Sequence, residues 1–174
     1  MSNDHDSNYS LMSLTLEISS CLLINKKYGT SIIQLICNKL ISQYPYKMAW
    51  IGLLESDGSI HIESVAGETA TYLNKEELRW DTAANLRNPL VTCILKQKPV
   101  CLEIKSADEQ FGKKWDDFLI NTHSNSLLLQ PLFNDSKCMG LLCIHSKLSE
   151  SFLNKTECAL LAMIAQHLSC YYES

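Results

Sequence analysis

The chain has 174 residues, of which 46% are apolar and 20% charged, with a formal net charge of −4. That length suits one domain, and the composition is that of an ordinary globular chain, which excludes a disordered one. The basic doublets Lys26-Lys27 and Lys113-Lys114 sit among polar and acidic residues and form no basic stripe, so a nucleic-acid partner is not expected. The opening Met-Ser-Asn-Asp-His-Asp-Ser-Asn is polar and acidic, with no apolar segment of the secretory kind. Apolar runs such as 48–54 fall far short of the about 20 residues needed to cross a bilayer. The chain is therefore read as cytoplasmic with no membrane partner, with residues 1–8 as a disordered tail and 9–174 as one domain.

Leu11, Leu14, Ile18 and Leu22 recur at helical spacing and predict a first helix over 9–24. Thr30 and Ser31 suit the cap of a second, with Ile33, Ile36, Leu40 and Ile41 inward and Pro45 at its end. The run 47–54 is apolar on both faces and predicts a strand covered on both sides. Asp57-Gly58 predicts a hairpin turn into a partner strand over 59–65. Asn88-Pro89 predicts a helix over 89–96, and 100–104 a short strand. Asp108 suits the cap of a helix that carries Phe111, Trp115, Phe118 and Leu119. A strand over 126–133 is interrupted by Pro131, which places its end at a sheet edge or a bulge. Asn134-Asp135-Ser136 turns it into a partner strand over 138–146. Asn154 with Glu157 three residues on has the form of a capping box for a closing helix to Tyr172. This order predicts an α+β fold, an antiparallel sheet with its terminal helices together on one face.

The eight cysteines, Cys21, Cys37, Cys93, Cys101, Cys138, Cys143, Cys158 and Cys170, contain no C-x-x-C pair and none has a histidine neighbour in sequence. Zinc and redox motifs show such pairs, so no metal site is expected and the cysteines are read as free thiols acting as small buried hydrophobes. No paired carboxylates, phosphate-binding loop or Ser-His-Asp arrangement is visible, so no catalytic residue is assigned.

The stretch Tyr46 to Leu53, then Asp57-Gly58 and Ala66-Gly67, resembles the first hairpin of GAF domains from bacterial signalling proteins of the diguanylate cyclase, phosphodiesterase or histidine kinase kind. Asn88-Pro89-Leu90, Trp115, Ser126, Pro131-Leu132, Gly140-Leu141-Leu142, Phe152 and Glu157-x-x-Leu160-Leu161 follow in that family's order, so the resemblance runs from about Leu14 to Tyr172. It implies an antiparallel sheet of about six strands, the first, second and last helices on one face, and a ligand pocket under the middle helices and loops on the other. It further implies a non-catalytic sensory and regulatory domain that binds a small molecule, dimerises and serves an output domain, linked beyond Ser174 or associated. The glycine-rich phrase usual before the Pro is replaced by Leu86-Arg87-Asn88, and His123-Ser124-Asn125 precedes Ser126.

Trp50, Trp80, Trp115, Phe118, His123 and Ser126 are the candidate ligand contacts, since aromatic walls suit a flat or apolar ligand. The cofactor stays unknown: bilin attachment prefers a Cys-His dipeptide that is absent, the Asn-Lys-Phe-Asp-Glu signature of cyclic-nucleotide binders does not assemble, and haem would rest on His123 alone. The alternative is an enzyme of the free methionine sulfoxide reductase type using Cys93 and Cys101, although the Gly-His, Cys-Asp and Ser-Glu phrases of such enzymes are missing. The closing helix carries two apolar stripes, Cys158, Leu161, Ala165, Leu168 and Tyr172, and Leu160, Ile164, His167 and Tyr171. One face suffices to cover a sheet, so Leu161, Ile164, Leu168 and Tyr171 are expected at a homodimer interface.

Overall fold

Strands that read as apolar on both faces need a layer on each side, and that demand organises the molecule. The computed structural model describes residues 3–24, 30–44, 46–68, 78–81, 88–104, 113–148 and 154–173, with the side chains of 3–9, 30–31, 113–115 and 118 outside the description. In chain order the elements are α1 (Asn3–Ile24), α2 (Thr30–Gln43), β1 (Tyr46–Leu54), β2 (Ile60–Gly67), α3 (Pro89–Lys96), β3 (Val100–Glu103), α4 (Lys113–Asn121), β4 (Ser126–Asn134), β5 (Lys137–Ser146) and α5 (Lys155–Glu173). The strands form one antiparallel sheet in the order β2-β1-β5-β4-β3. The fold is thus the α+β arrangement expected, with five described strands where about six were expected. Beyond those strands, Arg79 makes a single bridge to Ser59 and no ladder. The helix expected from Asp108 through Phe111 starts outside the described residues, and Pro45, expected at the end of the second helix, and Leu86-Arg87 lie outside them too.

Two apolar cores lie on opposite faces of this sheet. On one face Leu11, Leu14, Ile18 and Leu22 of α1, Ile33, Ile36 and Leu40 of α2, and Leu161, Ile164 and Leu168 of α5 close over Ala49, Ile51, Leu128, Leu132, Leu142 and Ile144. On the other, Leu90, Cys93 and Ile94 of α3 and Leu119 of α4 close over Met48, Trp50, Leu127, Leu129, Leu141 and Cys143. The alternation along β1, β4 and β5 sends successive side chains to different cores.

Local signals set several boundaries. The Asn88 side chain accepts the Leu90 N–H at 2.9 Å and Pro89 takes the first turn of α3. The Asn154 side chain accepts the Thr156 N–H at 2.9 Å at the start of α5. Glu157 there accepts the Tyr46 hydroxyl at 2.7 Å, which ties the helix to β1. At the β1–β2 turn Gly58 has φ 87° and Asp57 accepts the Ser59 N–H at 2.9 Å, a conformation that glycine adopts without strain. Pro131 sits in β4 just past the end of its pairing with β3 and beside a register shift at Leu132/Phe133, where its missing N–H breaks no ladder.

Two expectations are corrected. The first helix starts at Asn3, so residues 3–8 of the expected disordered tail belong to α1. The surface assigned to dimerisation on α5 is not a surface: Leu161, Ile164 and Leu168 are each 0% exposed within the single chain, and only Tyr171 is half-buried. The helix wedges between α1 and β4, so both of its stripes are covered within the same chain and neither is left for a second copy. The apolar stripe left outward belongs to α1, where Met12, Leu16 and Leu23 are exposed at spacings of four and seven.

Because Leu168 fills a closed core, Leu168→Ala should lower unfolding stability by about 2–5 kcal/mol, while Leu95→Ala, at an exposed position on α3, should stay within about 0.5 kcal/mol. Urea denaturation of both variants checks this, and comparable losses would show that the two positions are not inside and outside as described.

Candidate ligand-binding face

The second core is the face on which a ligand pocket was expected, and its centre is polar. Trp50 on β1 stands opposite Cys143 on β5, and two residues further along β5, on the same face, comes His145. Trp50 and His145 are both fully buried. The indole Nε1–H donates to His145 Nε2 at 3.2 Å. An indole only donates, so Nε2 is the accepting nitrogen and the ring proton sits on Nδ1. Nδ1 lies 3.2 Å from the Ser124 hydroxyl and donates to it. Ser124 in turn donates to Thr122 Oγ1 at 3.1 Å, and Thr122 donates to the Leu119 carbonyl at 2.8 Å, at the end of α4. The relay runs from a central strand to a helix terminus and leaves both ring nitrogens engaged.

Burial holds this ring neutral, with its pKa lowered from 6.5 to about 3. The thiols on the same face are equally unreactive. Burial pushes the Cys143 thiol well above its ordinary value. Cys93, whose Sγ donates to the Leu129 carbonyl at 3.7 Å, is pushed up to about 12, mainly by burial and also by neighbouring Cys138 and Cys101. A thiol nucleophile needs the opposite shift.

The expected contacts fall in different places. Trp50 is a fully buried core residue, and Trp80 is half-buried against the same core. Trp80 Nε1 donates to the Glu55 carbonyl at 3.1 Å, and Arg79 bonds the Asp57 carbonyl at 2.7 Å and the Asp81 carboxylate at 2.8 Å, so residues 79–81 brace the β1–β2 hairpin. Trp115 and Phe118 belong to α4, which faces this core through Leu119, but their side chains lie outside the description. His123 is exposed and left-handed, at φ 49°, and closes α4 by donating its N–H to the Ile120 carbonyl at 2.9 Å. Its position is that of a helix-ending residue. Ser126 shares the face of Leu128 and Leu132, the terminal-helix side, and its hydroxyl donates to the Leu148 carbonyl at 2.6 Å, so it is not on the ligand side.

The structure therefore joins Trp50, Trp80 and α4 on one face and removes Ser126 from it. The relay of His145, Ser124 and Thr122 was not anticipated. Its signal was present in Cys143-Ile144-His145, whose alternation puts a histidine on the buried face of a strand. Among the described residues no group of three or more His, Cys, Asp or Glu side chains could hold a metal ion. One open groove, of about 450 Å³, lies on the opposite face between α5 and β4, lined by Gln130, Phe133, Ala165 and Ser169.

The neutral ring has a consequence for stability. The unfolded chain binds a proton at His145 near pH 6.5, whereas the folded chain binds one only near pH 3. Between those values the unfolded state holds more protons, so this histidine's contribution is complete above pH 6.5 and is lost as the pH falls. The loss is about 2 kcal/mol between about pH 7.5 and pH 5. His145→Gln should flatten that limb in denaturant titrations at several pH values. An unchanged difference between pH 7.5 and pH 5 would show that the folded chain protonates His145 freely.

Solved structures with this architecture share little sequence with it. The A. aeolicus NLH2 GAF domain is 14% identical, with a TM-score of 0.74 over 95% of this chain and 96% of that one. The GAF domain of a phosphoenolpyruvate-protein phosphotransferase from Coxiella burnetii is 13% identical, with a TM-score of 0.76 over 95% and 94%. A free methionine-R-sulfoxide reductase from Neisseria meningitidis is 16% identical, with a TM-score of 0.73 over 92% and 86%. No curated protein sequence matches the chain. The GAF domain family model matches residues 30–170, from the start of α2 through most of α5, and the chain belongs to the GAF domain family.

Proposed function

We propose that this chain is a non-catalytic sensory and regulatory domain. It binds a small molecule on the α3–α4 side of the sheet, dimerises, and passes occupancy to an output domain through α5. The observation that carries this reading is the state of the groups on that side. His145 has both nitrogens engaged, and Cys93 and Cys143 are held as protonated thiols. Such a face offers apolar surface around fixed polar groups, which suits reversible binding better than nucleophilic chemistry. Among the described residues no helix is long and apolar enough to cross a membrane, which fits a cytoplasmic sensor.

The second reading is a thiol-dependent reductase of free methionine sulfoxide. It is favoured by the presence of Cys93 on the ligand side and by similarity to solved structures named as such enzymes. Against it, Cys101 stands on the other face of β3 from Val100 and Leu102, which pack with Cys93, so the two expected cysteines do not share a face. Purified protein given free methionine-R-sulfoxide and a thiol reductant should show no turnover above background. Turnover that disappears in Cys93→Ser would overturn the sensor reading. Native mass spectrometry with an absorption scan then reports any retained metabolite, haem or bilin.

Dimerisation is assigned to the outward stripe of α1. Met12 and Leu16 occupy successive turns, with Leu23 two turns beyond Leu16, and a second copy of the same stripe would cover them symmetrically. Light scattering at tens of micromolar should give a dimer for the wild type and a monomer for Leu16→Glu. A folded Leu16→Glu dimer would place the interface elsewhere.

A further inference from the structure

Cys101 lies on β3, the strand at one edge of the sheet, and its side chain leaves the sheet on the terminal-helix side. Cys158 lies in the first turns of α5, four residues after the capping Asn154. Their sulfurs approach to 4.0 Å, across 57 residues of sequence. Cys101 is exposed and Cys158 is half-buried, so a small reagent reaches the pair from solvent. A disulfide needs about 2.0 Å between sulfurs, so this pair has only about 2 Å to close.

We propose that Cys101 and Cys158 form a thiol pair that is oxidised to a disulfide by low-molecular-weight disulfides, covalently clasping the edge strand to the start of the closing helix. The site is separate from the ligand-side face and does not depend on what binds there. Burial raises both thiols, so only a small thiolate fraction of each reacts and the exchange rests on the proximity of the two sulfurs; the S–H of Cys101 partly offsets the rise at Cys158, so Cys158 attacks first. Its thiolate attacks one sulfur of a small disulfide RSSR, the S–S bond of the reagent breaks, and RS⁻ leaves and takes up a proton. Cys101, having lost its proton to water, then attacks Cys158 Sγ in the mixed disulfide and expels the second RS⁻, which is protonated in turn. Two protein thiols and RSSR become one protein disulfide and two RSH: the pair loses two electrons and the reagent gains them. Because Glu157, beside Cys158, is bonded to Tyr46, the clasp fixes the end of α5 that β1 already holds.

The test uses the full chain, reduced, at low micromolar concentration, treated with oxidised glutathione and digested with trypsin without reduction. Cys158 and Cys170 share one tryptic peptide, so the experiment is run in a Cys170→Ser background. The expected result is a Cys101–Cys158 linked peptide in most molecules, reversed by dithiothreitol. In Cys101→Ser the linked peptide should be absent and glutathione should remain on Cys158. Mixed disulfides alone in the parent, or a linkage joining either cysteine to another partner as the main product, would overturn the proposal.

Discussion

The structure depends on β1 and β5 having no solvent face. Adjacent strands whose side chains are buried on both sides need two covering layers, and the chain supplies one before and after the sheet (α1, α2 and α5) and one from its middle (α3 and α4). The two layers differ in kind. The terminal-helix core is mostly aliphatic, with Tyr46 and Cys37 among its buried residues and polar groups such as Glu157 and Ser169 at its margin. The other core contains a fully buried imidazole, and a buried ring nitrogen without a partner costs about 1–3 kcal/mol. That cost explains why Trp50, Ser124 and Thr122 are arranged as they are. The indole supplies a donor, the serine an acceptor, and the threonine returns the chain of hydrogen bonds to the backbone at the end of α4.

This relay also sets what the second face can do. A neutral imidazole with both nitrogens occupied neither takes a proton from a bound molecule nor activates the adjacent Cys143. It does fix the distance between β5 and the end of α4, because each link is a directional bond about 3 Å long. The relay thus ties the end of α4 to β5, and under the proposed function a molecule that moved α4 would have to stretch the relay or carry it along.

Much of the fold was legible because local chemistry specified it. Asn88-Pro89 and Asn154 carry their own capping geometry, and Asp57-Gly58 its own turn, so α3, α5 and the first hairpin fell near their expected places. The site was less legible. Ser126 was assigned to the ligand side although its face depends on strand register, which the hydrophobic pattern around it (Leu127, Leu128, Leu129) leaves undecided because both faces are apolar. His123 was read for its imidazole when its backbone conformation is what places it. The two stripes of α5 were counted correctly, but the number of partners a helix finds in its own chain is a tertiary fact, and here α1 takes the second stripe.

The position of α5 has a further consequence. Besides its two buried stripes it is bonded along its whole length: Glu157 to the Tyr46 hydroxyl of β1, His167 to Ser19 of α1, Ser169 to the Phe133 N–H of β4, and Glu173 to the Asp135 N–H in the β4–β5 turn. Contacts at both ends and in the middle leave the helix no low-energy way to bend or slide alone. Close-packed interiors shift between discrete arrangements and do not deform continuously, so a change in the sheet would carry the helix with it. In the sensor function proposed above, a displacement of β4 or β5 that began at the His145 relay would reach α5 through these bonds. The same packing keeps the helix from dimerising through Leu161, Ile164 and Leu168: its apolar surface is already committed to the sheet and to α1.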